Sequence, residues 1–180
     1  MEQVKTNLIG LSSAPPGWHH HKNGGGLVED TASVAPTAFV GRGARVRDEA
    51  EVCDSAQVFD TAEVSGSAKV SGSAQVFGSA EVFGSAKVFG DVLVYDSAWV
   101  YGSAEVSGSA KVCGHAWLAG AAEVCDYAKV FGSAQVFGRA HVSGDAQVHG
   151  DAQVHGDAYV SGSAEVCGST CVLGIEIINQ

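Results

Sequence analysis

The side chains best suited to chemistry in this chain are its imidazoles and thiols, and their spacing decides what they can do. Near neutral pH a histidine serves as a general base or metal ligand, and a thiolate as a nucleophile or soft ligand. His115, His141, His149 and His155 stand in the second half of the chain, with Cys113, Cys125, Cys167 and Cys171; Cys53 lies earlier. Asp145, Asp151 and Asp157 add carboxylates to the same region, and the run His19-His20-His21 lies near the start. His149 and His155 are six residues apart, and so are the successive aspartates. Whether such groups converge depends on the element that carries a period of six.

That period governs nearly everything. From Val28 to Ile178 an aliphatic residue occupies every sixth position, across 151 residues without insertion or deletion. Ala stands two residues before each from Ala32 to Ala164, with Val92 the one exception. Residues two apart on a strand share a side, so Ala and Val face inward and the residue between them outward. The Gly, Asp and Ser that follow are turn formers. Each hexad is therefore a short strand and a corner. Helical spacing of three, four and seven is absent. A strand with an Ala-Val inner face cannot bury itself alone, whereas coiling three hexads into a triangular rung and stacking the rungs does bury it. The expected fold is all-β, a single-stranded parallel β-helix with three hexapeptides per coil and about eight coils, roughly 40 Å long at the usual strand spacing. Residues 28–172 form the rod. Residues 1–27, with Leu8, Ile9, Leu11 and Trp18, read as an N-terminal cap segment. Residues 173–180 read as a C-terminal cap, since Thr170 and Glu176 replace the inward Ala.

Stacking at eighteen residues sorts the outward side chains into columns. One holds Phe59, Phe77, Tyr95, Cys113, Phe131, His149 and Cys167; across the next corner stand Glu63, Glu81, Trp99, Trp117, Gln135, Gln153 and Cys171. Together they place an exposed aromatic patch of Phe59, Phe77, Tyr95, Trp99, Trp117 and Phe131 along one edge. A second edge carries Phe83, Tyr101, Phe137 and His155. These rings are the candidate interface residues, because a contiguous exposed apolar patch marks a contact surface. The third face carries small residues beside Glu51, Lys69, Lys87, Glu105, Glu123, His141 and Tyr159, with Glu51–Lys69 and Lys87–Glu105 as ladder pairs. His149 and His155 point about 120° apart on such a rung and do not chelate one ion. Asp145, Asp151 and Asp157 fall on three different edges. The histidines read as solvated surface, the run His19-His20-His21 as a polar part of the cap, and no catalytic residue, metal site or cofactor is assigned.

The inward pattern resembles the hexapeptide-repeat β-helix superfamily, in which an aliphatic residue is followed four positions later by a small one, as in Val76 with Ala80, Val82 with Ala86 and Val88 with Val92. The resemblance implies a left-handed coil and a homotrimer as the assembly. It also extends to bacterial and phage hexapeptide-repeat proteins of unassigned activity. Acyltransferases of the superfamily place a histidine base near the cleft between subunits, commonly beside a loop extruded from the rod, and this chain extrudes none. Metal-binding relatives with carbonic anhydrase activity use three histidines, two of them five apart, and no pair here has that spacing.

A formal net charge of −10 opposes direct nucleic-acid binding. No apolar run approaches a membrane span, the N-terminus lacks the pattern of a signal peptide, and the cysteines fit free thiols in a reducing cytoplasm. The expected function is a non-enzymatic structural or interaction protein that self-associates through its aromatic edges, trimer favoured, with a protein partner as a further option. The alternatives are an acyl-CoA-dependent hexapeptide acyltransferase with its site between subunits, and an acidic inhibitor that mimics DNA.

Overall fold

The computed structural model describes residues 13–174 and, for the backbone, 177–179. Among them there is no helix, and the strands fall into three sheets of ten, eight and nine strands. Most strands are two residues long, such as Gln75–Val76, which pairs in parallel with Gln57–Val58 below it and Leu93–Val94 above it. The eighteen-residue step between partners closes three hexads into one coil. The protein is thus a parallel β-solenoid of about eight turns, each sheet forming one face of the rod.

The interior is the Ala-Val column that the period demands. Val40 through Val160 are fully buried at every sixth position, and the Ala two residues before each is equally enclosed. Val92 fits where Ala is otherwise required, and Leu118 is the largest enclosed side chain.

From Asp48 to Gly174 the corners place one backbone position per hexad in the left-handed region. Glycine fills it at Gly84 and Gly102, for example, at φ of 72° and 71°. Aspartate fills it at Asp48, Asp54, Asp60, Asp96 and Asp126, with φ between 57° and 60°. Left-handed backbone is costly for most L-residues, and aspartate tolerates it through local hydrogen bonding. Here the bond is to the next coil. The Asp48 carboxylate accepts the Gly66 N–H at 2.9 Å, and Asp54, Asp60, Asp96 and Asp126 accept those of Gly72, Gly78, Gly114 and Gly144 at 3.0–3.1 Å.

The first coil is met by an antiparallel strand that lies outside the repeat. Trp18–His20 pairs antiparallel with Leu27–Glu29 at one end of the ten-stranded sheet. Gly26 lies so close to the first coil that a Cβ there would stand 2.5 Å from Val40 Cγ1. Its N–H donates to Val40 O at 2.8 Å, and the Asn23 side-chain amide donates to Ala38 O at 3.0 Å. Each histidine of the run has a local partner: His19 with Asp30 at 3.0 Å, His20 with Gly25 O at 2.9 Å, His21 with Asn23 O at 3.1 Å. Leu8, Ile9 and Leu11, expected to help cover this end, lie outside the described residues. At the other end the ladder continues beyond the decayed pattern, since Ile177–Asn179 keeps parallel register with Tyr159–Ser161. The side chains of Ile175, Glu176 and Ile178 lie outside the described residues.

Candidate functional site

Each two-residue strand presents two outward side chains, one before and one after its inward Val. The ten-stranded face therefore carries both Trp99 and Tyr101 around Val100, and both Trp117 and Ala119 around Leu118. The residue after Val also lies diagonal to the residue before Val on the next coil, sixteen positions later. Most ring contacts follow the vertical eighteen, and the tryptophans add diagonal ones. Phe83 stacks on Tyr101 at 4.9 Å, with interplanar angle 4°, and Phe137 stacks on His155 at 4.6 Å and 5°. Between them the column has Ala119 in place of a ring. Trp117 leans diagonally into that gap, 6.2 Å from Tyr101 and 6.0 Å from Phe137, and Ala119 is buried beneath it. The result is a continuous stack from Phe83 to His155.

Trp99 has no such gap to enter. It meets Phe83 edge-on at 6.4 Å and remains 48 % exposed, while the other candidate interface rings are half-buried. Beside it lies a groove of about 400 Å³ lined by Ser97, Trp99, Tyr101, His115 and Trp117. No Asp, Glu, Lys or Arg lines it.

The ring contacts regroup the expected patch. Trp99 and Trp117 belong with Phe83, Tyr101 and Phe137, because they share a face with them; the corner at Asp96 and Ser97 separates Tyr95 from Trp99. On the eight-stranded face Phe59, Phe77 and Tyr95 form their own stack, at 4.8 and 5.0 Å. Cys113 interrupts that column, and Phe131 stacks instead on His149 at 4.6 Å. The Tyr95 phenol is pushed up to about 12 by its hydrogen bond with the Cys113 thiol, then by burial.

The nine-stranded face holds the expected ladders, Lys69–Glu51 at 2.9 Å and Lys87–Glu105 at 3.6 Å. Both pairs are well solvated, worth about a few tenths of a kcal/mol each. His141 sits between Glu123 on one ring nitrogen, at 3.2 Å, and Cys125 on the other, at 3.8 Å. Burial first, then Asp126 and Glu123, pushes the Cys125 thiol up, which disfavours the thiolate. A groove of about 560 Å³ runs past Glu123, Arg139, His141, Asp157 and Tyr159.

Sequence columns at eighteen missed the diagonals. His149 Nε2 lies 2.7 Å from Glu165 Oε1, and one imidazole nitrogen of His149, one carboxylate oxygen of Glu165 and the Cys167 sulfur fall within 4.8 Å of one another. His155 Nε2 likewise lies 3.3 Å from Cys171 Sγ. A spacing of sixteen between histidine and glutamate or cysteine was the available signal. The five cysteines are free thiols.

Fold and faces define a β-solenoid repeat protein. Residues 134–150 match a family described as the YdcK Beta solenoid repeat, a likeness covering one stretch of the rod. No curated protein and no solved structure matches the chain.

Proposed function

We propose that this protein is a non-enzymatic β-solenoid scaffold that self-associates through its ten-stranded face, copy against copy. The observation that carries the reading is the pairing of a projecting Trp99 with an aromatic groove beside it that holds no Asp, Glu, Lys or Arg. Trp99 of one copy entering the groove of the next joins different parts of the two surfaces, a head-to-tail contact that can close a ring of copies. Aromatic anchors seated in desolvated pockets dominate the energetics of such contacts. The resemblance to hexapeptide-repeat proteins supports three copies and a left-handed coil.

Replacing Trp99 with Lys tests the contact. The side chain is half in solvent and makes a single ring contact, so folding stability should change by no more than about 0.5 kcal/mol. Sedimentation should then give a smaller species than the parent chain, with the circular dichroism unchanged. An unaltered sedimentation profile for Trp99→Lys overturns the proposed contact.

One observation favours a second reading, an acyltransferase that uses an acyl thioester. Glu123 and His141 form a carboxylate–imidazole pair lining a groove, the arrangement of an oriented general base. Loss of acetyl transfer on His141→Ala or His155→Ala would support this reading, and the absence of binding heat with acetyl-CoA for the parent chain would dismiss it.

A further inference from the structure

We propose that His149, Glu165 and Cys167 form a binding site for a divalent d-block cation, zinc by preference, on the eight-stranded face. The three residues come from two successive coils. Glu165 and Cys167 flank the inward Val166, and His149 lies one coil below Cys167 and diagonal to Glu165. All three therefore point out from one face, with their donor atoms within 4.8 Å of each other. Tetrahedral zinc with nitrogen, oxygen and thiolate ligands holds its donors about 3.3–3.8 Å apart, given the usual bond lengths. Small rotations of exposed side chains close that difference.

Two features of the surroundings favour a ligand role over a simple ion pair. The imidazole is held by its stack on Phe131, at 4.6 Å and 11°, which fixes the ring plane with Nε2 toward Glu165. An oriented ring loses less freedom on binding metal. The carboxylate is also short of cations. Glu51, Glu63 and Glu105 each have Lys or Arg on a neighbouring coil, whereas no Lys or Arg follows Arg139 in the chain. Imidazole, carboxylate and thiolate together suit zinc and cobalt(II) better than magnesium or calcium, which take oxygen ligands. Three protein ligands leave a fourth position open toward solvent, since Glu165 and Cys167 are exposed.

The site is on a different face from Trp99, so its failure and the failure of the self-association reading are separable. The test is titration of the reduced, full chain with cobalt(II), followed by displacement with zinc. One equivalent should bind with a thiolate-to-cobalt charge-transfer band in the near ultraviolet. Cys167→Ser should abolish the band, and His149→Ala should weaken binding by more than about tenfold, as even second-shell losses do. Cys171→Ser and Cys125→Ser, which alter the other His–Cys contacts, should leave the band intact. Cobalt taken up by His19-His20-His21 would bring no thiolate band. A missing band in the parent chain, or one that survives Cys167→Ser, overturns the proposal.

Discussion

Replacing Gly102 separates the two physical demands of a corner. Gly102 has φ of 71°, and a Cβ there would stand 2.9 Å from the Gly120 nitrogen and 3.0 Å from its oxygen. Alanine at Gly102 meets a left-handed cost of about 1–2 kcal/mol, of which the stiffer unfolded chain returns roughly 0.4–1. Aspartate at the same position carries the same Cβ. It also supplies a carboxylate that can accept the Gly120 N–H, as Asp96 does for Gly114 at 3.1 Å. An exposed hydrogen bond of this kind is worth about 0.5–1.5 kcal/mol. Gly102→Asp should therefore be more stable than Gly102→Ala by about 1 kcal/mol, a difference of roughly 2–4 °C in Tm for a chain of this size. Asparagine should fall between them. The local assay is amide exchange at Gly120, which should slow in the Asp variant relative to the Ala variant. The reasoning fails if alanine melts with or above aspartate, or if Gly120 exchanges equally in both.

Further consequences follow from the core, the thiols, the phenols and the charge. Leu118→Ala should destabilise by about 3 kcal/mol in thermal or denaturant unfolding, because the enclosed cavity has no room to collapse onto neighbours that are already Ala and Val. Iodoacetamide at neutral pH should label exposed Cys167 and Cys171 well before Cys53 and Cys125, whose thiols are pushed up mainly by burial; mass spectrometry of the digest reads the order. In an ultraviolet phenolate titration Tyr95 should ionise near 12, and Cys113→Ala should lower that step. The sign is that of a raised pKa: any stability from the neutral phenol is complete below about 10 and is lost as pH climbs toward 12. Self-association should strengthen with added salt, since a net charge of −10 on each copy opposes it; an association that weakens with salt would point to ion pairs at the contact instead.

The rod was legible because its inner face is one rule repeated. Val at every sixth position and Ala two before it leave no other way to bury both, and the sheets, the coil of eighteen and the ladder pairs Glu51–Lys69 and Lys87–Glu105 follow from that alone. The outer face obeys a looser rule. Column arithmetic placed Trp117 over Trp99, yet the indole turns toward the space above Ala119, because a missing ring in the neighbouring column is worth filling. The same diagonal brings Glu165 to His149, which a search for histidine pairs cannot find. The antiparallel strand at Trp18–His20 was beyond reach for another reason: it stands outside the repeat, and its pairing depends on how closely Gly26 can approach Val40. What periodicity fixes is where a side chain starts; which neighbour it meets depends on rotamers and on gaps.

The solution mass of the full chain, by light scattering over a range of concentration, tests the central claim most directly. The account predicts an assembly, with the proposed three copies giving three times the 18.3 kDa chain. A mass of one chain at every concentration would contradict it, and would leave Trp99 and its groove without the partner proposed for them.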